Sequence, residues 1–74
     1  MSAFPRYVHF VGIGGAGMAP LAELLKLRFP ELVISGSDLL LNDKTRQLEK
    51  LGIRVFAGHR ADQLPLETGL VIYS

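Results

Sequence analysis

Apolar and polar positions alternate along this chain in two different rhythms, and the switch between them outlines the elements. Tyr7, Val8, Phe10 and Val11 form a short β-branched and aromatic run, which predicts a buried strand over 7–11. Met18, Leu21, Ala22, Leu25 and Phe29 follow at helical spacing, with Leu24 widening the stripe. They predict a helix from about Ala16 or Gly17 to Arg28, ended by Phe29-Pro30. Pro20 is comfortable only in a first turn, so a late helix start or a slight bend is expected there.

The second half repeats the alternation. Leu32 to Ser35 reads as a second strand, with Gly36-Ser37-Asp38 leaving its carboxyl end and Leu39-Leu40-Leu41 forming an apolar loop. Asn42 or Asp43 caps a second helix that runs to about Leu51, with Leu48 and Leu51 facing inward and Gly52 at the C-cap. Ile53 to Ala57 is a third strand, and Gly58-His59-Arg60 is the loop at its end. One short helical turn over 61–64 stops at Pro65, and Leu70 to Tyr73 is a fourth strand.

The order βαβαβ, then β, predicts an α/β fold of Rossmann type. Its parallel sheet has right-handed crossovers and strand order 3-2-1-4, half of a doubly wound fold. A fourth strand with no helix after it suggests a piece of a larger protein, since buried parallel strands need cover on both faces. The chain is read as a single 1–74 domain within such a protein.

Composition narrows the function classes. Seventy-four residues allow one small domain, and a hydrophobic fraction of 49% excludes a disordered tail. The net charge is +1 and the basic residues are scattered, so no nucleic-acid stripe is visible. There is no cysteine, hence no disulfide framework, thiol chemistry or cysteine-based metal site, which fits a cytosolic setting. No apolar run reaches membrane-spanning length.

The chemistry concentrates where the first strand meets the first helix. Gly12, Gly14 and Gly17 fall in the spacing G-x-G-x-x-G, with Gly15 as an extra glycine. Strand, glycine turn and helix are the context that gives this spacing meaning. Gly12 is expected to permit the tight turn, Gly14 to let the backbone approach a phosphate, and Gly17 to let the helix pack on the sheet. The helix N-terminus then offers free N–H groups and a positive dipole end to an anion.

Asp38 lies 26 residues after Gly12, where an acidic side chain accepts from a ribose hydroxyl, or acts as a turn former. Its charge should keep phosphate away. His59 and Ser74 follow strands on the same edge and are candidates to reach a bound phosphate or sugar, against a plainer role as exposed loop residues. His9, inside the first strand, reads as a satisfied sheet residue. There is no G-x-x-x-x-G-K-[ST] loop, no G-x-S-x-G elbow and no placed carboxylate pair, so no catalytic residue and no metal site are assigned. From these residues alone, a nucleotide-binding domain, an NAD-binding module of a dehydrogenase, a regulatory nucleotide sensor and a purely structural α/β unit all stay open.

The run His9-Phe10-Val11-Gly12-Ile13-Gly14-Gly15-Ala16-Gly17-Met18, then Leu21-Ala22-Glu23, Ser35-Gly36-Ser37-Asp38-Leu39 and Gly58-His59, resembles the start of the Mur ligases from about Tyr7 to Ser74. Within that family the resemblance is nearest to the enzymes that join L-alanine to UDP-N-acetylmuramic acid. A member acting on recycled muropeptide is the alternative.

The resemblance implies a three-domain cytoplasmic enzyme of peptidoglycan precursor synthesis. Its first domain would bind the UDP part of the substrate, its central domain ATP and Mg²⁺, and its third the amino acid. It also implies that Gly14, Gly15, Ala16, Gly17 and Met18 line the diphosphate, that Asp38 and Leu39 lie beside the uridine, and that His59 and Ser74 face the same cleft. This segment alone is then expected to be inactive, with its partners the UDP-sugar and the remaining domains, and neither nucleic acid nor membrane.

Overall fold

A computed structural model describes residues 6–58 and 69–73. His59, Ser74 and the turn expected at 61–64 lie outside the described residues. Four strands, β1 (Tyr7–Val11), β2 (Val33–Asp38), β3 (Arg54–Ala57) and β4 (Leu70–Tyr73), alternate in part with two helices, α1 (Met18–Arg28) and α2 (Asp43–Lys50). The strands form one parallel sheet in the order β3-β2-β1-β4, as the alternation of elements predicts. Along β1 the register places Val8 beside Ile34 and Leu70, and Phe10 beside Gly36 and Ile72.

The core is a single apolar cluster of Val8, Phe10, Ile13, Ala19, Ala22, Ile34, Leu48 and Ile53. Two alanines of α1 and one leucine of α2 meet the strand residues there. Of the stripe the sequence suggests, Ala22 is buried and Met18 and Leu25 pack against the core, while Leu21, Leu24 and Phe29 are exposed. Ala19 and Ala22 are buried, while Leu21, Leu24 and Leu27 are exposed. Small side chains let a helix approach the sheet closely, and the larger leucines are left on its flank and outer side.

Pro20 stands at the third position of α1, where its missing N–H is one of the unpaired donors of the first turn. The helix accordingly begins late, at Met18. At its other end the Lys26 ammonium donates to the carbonyls of Pro30 and Leu32, tying the last turn to the approach of β2. Asn42 caps α2, and Gly52, with φ +93°, closes it.

The second strand is longer than its composition suggests. Gly36, Ser37 and Asp38 continue the ladder, opposite Phe10 and Val11 on one side and Val55, Phe56 and Ala57 on the other. Gly36 explains the extension. A Cβ built there would lie 2.5 Å from Ile13 Cδ1 and 2.7 Å from Ile13 Cβ. The fully buried Ile13 thus occupies the place of a side chain at position 36, and only glycine fits beneath it.

Candidate functional site

The glycine turn follows from the hydrogen bonds that the end of β2 offers it. Gly12 leaves β1 with φ +82°, in the left-handed region that glycine enters at little cost. The amides of Gly12 and Ile13 both donate to the Ser37 carbonyl, at 2.8 and 3.0 Å. Gly15 donates back to the Gly12 carbonyl at 3.0 Å, and Met18 and Ala19 both donate to the Gly15 carbonyl at 3.1 Å. The turn is closed within itself before α1 starts. No described residue accepts from the amides of Ala16 or Gly17, and both residues are exposed.

Asp38 joins three segments at this edge. Its Oδ2 accepts from the Gly14 amide at 2.8 Å, its Oδ1 from the Leu40 amide at 3.2 Å, and its carbonyl from the Gly58 amide at 2.7 Å. The glycine loop, the β2–α2 loop and the exit of β3 are thereby fixed to one half-buried residue. The sequence suggests a carboxylate whose charge keeps phosphate away, and the structure bonds that carboxylate to the glycine loop itself.

This contact also changes the explanation of Gly14. A Cβ there would sit 2.9 Å from Asp38 Oδ2 and 3.2 Å from Thr45 Cγ2. A side chain at position 14 would collide with these two side chains, which is a reason within the fold for glycine there.

Gly17 departs from expectation too. A Cβ on it would meet nothing within 4 Å, so it is not required for packing α1 on the sheet. It is instead the N-cap of α1, without a side-chain hydrogen bond, and no acidic residue stands in the first turn. Among the described residues, this helix N-terminus has no side-chain cap and its positive end is open.

Gly14, Gly15, Ala16, Gly17, Met18, Asp38 and Leu39 thus gather at the carboxyl ends of β1 and β2. Gly14 and Asp38 touch, Met18 packs against the core cluster, and Leu39 is 72% exposed. The expectations for His59 and Ser74 fall outside the described residues. His9 is a satisfied sheet residue: its Nδ1 lies 2.8 Å from Ser35 Oγ, and both side chains are buried.

Among the described residues no group of three or more His, Cys, Asp or Glu is placed to hold a metal ion. No described helix is long and apolar enough to cross a membrane.

One participant escaped the sequence reading. Thr45, buried in the first turn of α2, packs its methyl toward Gly14. The available signal was the spacing Asn42-x-x-Thr45, which is that of a reciprocal helix cap.

Comparison with known proteins places the chain in a family. Residues 7–74 match the family model described as "Mur ligase family, catalytic domain". The chain is 51% identical over 69 residues to the UDP-N-acetylmuramate--L-alanine ligase of Sorangium cellulosum (strain So ce56), covering 93% of this chain and 14% of that protein. It is 45% identical over 71 residues to the protein of the same name from Blochmanniella floridana, covering 96% and 14%. A third, from Syntrophus aciditrophicus (strain SB), is 52% identical over 60 residues, covering 80% and 12%. The chain spans about one seventh of the length of the first two relatives. With the family model matched across nearly all its length, the chain belongs to the Mur ligase family.

Proposed function

We propose that this chain binds the uridine diphosphate part of UDP-N-acetylmuramic acid, for the ATP-dependent joining of L-alanine in the cytoplasmic stage of peptidoglycan precursor synthesis. The observation that carries the reading is the division of one sheet edge into two chemically different halves. On one side stand the open amides of Ala16 and Gly17 at the bare N-terminus of α1. On the other stands the Asp38 carboxylate, bonded to Gly14.

Each half suits a different part of a nucleoside diphosphate. The amides and the helix dipole favour an anion, and the open space at Gly17 admits one close to the backbone. The Asp38 carboxylate repels phosphate but accepts from neutral donors. Each of its oxygens takes one protein amide and keeps a further acceptor position for a ribose hydroxyl or a base N–H. Leu39 offers exposed apolar surface to the base. His59 and Ser74 are proposed to face the same cleft.

ATP and Mg²⁺ belong to the proposed activity of the whole enzyme, but the residues of this chain do not fit them. It has no G-x-x-x-x-G-K-[ST] loop, and the described residues have no acidic cluster. No chemical step is therefore assigned here, and the proposed partners are the UDP-sugar and further domains of the same polypeptide.

An NAD-binding role is the competing reading, since a carboxylate after the second strand also suits an adenosine ribose. Isothermal titration of the full polypeptide carrying this sequence separates the two. The expected result is saturable binding of UDP-N-acetylmuramic acid and of UDP, with NAD weaker by at least about tenfold. Tighter binding of NAD would overturn the proposal.

A further inference from the structure

We infer that Thr45 is a positioning residue for the anion-binding loop: its methyl group, locked by the helix cap, sets where Gly14 lies and hence where the Ala16 and Gly17 amides point. The inference rests on the ligand reading above for its functional consequence, and on the geometry for the rest.

Thr45 is 1% exposed, although it belongs to the first turn of a helix whose neighbouring positions are exposed. Its side chain has no rotational freedom left. Oγ1 accepts from the Asn42 amide at 2.9 Å and donates to the Asn42 carbonyl at 2.8 Å, while the Thr45 amide donates to Asn42 Oδ1 at 3.1 Å. With the hydroxyl held this way, Cγ2 is directed at Gly14, 3.2 Å from where a Cβ would stand.

Gly14 is therefore gripped from two sides. The Asp38 carboxylate holds its amide, and the Thr45 methyl bounds the space above its Cα. The two open amides follow within three residues of this grip. A bound anion needs those donors held to within about half an ångström by locked neighbours.

The two halves of the threonine side chain have separable duties. The hydroxyl serves the cap and thus the stability of α2. The methyl serves the loop. Thr45→Ser removes only the methyl and keeps the hydroxyl of the cap, whereas Thr45→Val puts a second methyl in place of the hydroxyl and so loses the cap. A merely structural threonine would lower stability in both variants and leave ligand affinity of the folded protein untouched.

The test uses the full polypeptide carrying this sequence, at a temperature well below every unfolding midpoint. Titration with UDP-N-acetylmuramic acid should give a Kd about tenfold higher for Thr45→Ser than for the parent. Hydrogen exchange at the Gly14 amide, measured without ligand, should be faster in Thr45→Ser than in the parent. Parental affinity and parental exchange in Thr45→Ser would overturn the inference, and that variant decides it even where Thr45→Val does not fold. Failure of the parent protein itself to bind the UDP-sugar would sink the ligand reading instead. The exchange measurement would then decide the loop-positioning claim by itself.

Discussion

Asp38 shows how one side chain serves both the fold and the proposed ligand. It bonds Gly14 and Leu40 through its carboxylate and Gly58 through its carbonyl. Asp38→Ala leaves the first two amides without their protein acceptor. A hydrogen bond to a charged group contributes about 1.5–3 kcal/mol, and this half-buried site lies at the lower end. The variant should lose about 1–2 kcal/mol of stability in a urea titration and bind the UDP ligand roughly tenfold more weakly. Unchanged stability would mean that water replaces the carboxylate without cost. Gly36 makes a sharper claim, because Ile13 fills the place of its side chain. Gly36→Ala should cost about 2–3 kcal/mol, as overpacking does. Combining it with Ile13→Val should give a loss smaller than the sum of the single losses by about 0.5 kcal/mol or more. Strict additivity in the double-mutant cycle would show that the clash is relieved elsewhere.

Among the elements, α2 depends most on local signals. Eight residues form too short a helix to be stable without help. Asn42 and Thr45 supply a reciprocal cap, and Leu48 anchors the inner face. Asn42→Ala should therefore destabilise the protein by about 1 kcal/mol, read as a lower urea midpoint with an unchanged slope. The bounds of β1 and β4 were legible because short β-branched and aromatic runs end at glycine or at the sheet edge. The late start of α1 was legible from Pro20. The extension of β2 was not, because Gly36, Ser37 and Asp38 are all poor strand formers by local preference. Tertiary contacts decide the matter: Ile13 covers Gly36, and the Ser37 carbonyl receives two loop amides. The inner face of α1 was legible in part. Periodicity picked out Ala22, Met18 and Leu25 but also Leu21 and Phe29, which are exposed, and it passed over the buried Ala19.

At the scale of the whole molecule, the observed β3-β2-β1-β4 sheet is the order of half a doubly wound fold, one of the few that alternating strands and helices allow. That order brings the ends of β1 and β2 together and makes the glycine loop and Asp38 neighbours although Gly14 and Asp38 are 24 positions apart in the chain. The site candidates on these two segments were legible for that reason, while their direct bond was not, since it depends on side-chain placement at the strand end. The central claim is that the anion half and the carboxylate half of this edge together receive a uridine diphosphate. The most direct measurement is a residue-resolved NMR titration of the full polypeptide carrying this sequence with UDP-N-acetylmuramic acid, beside a parallel titration with NAD. The expected result is amide shifts centred on Gly14 to Met18 and on Asp38 to Leu39 with the UDP-sugar, saturating at lower concentration than any seen with NAD. Shifts at those residues with NAD and none with the UDP-sugar would contradict the claim.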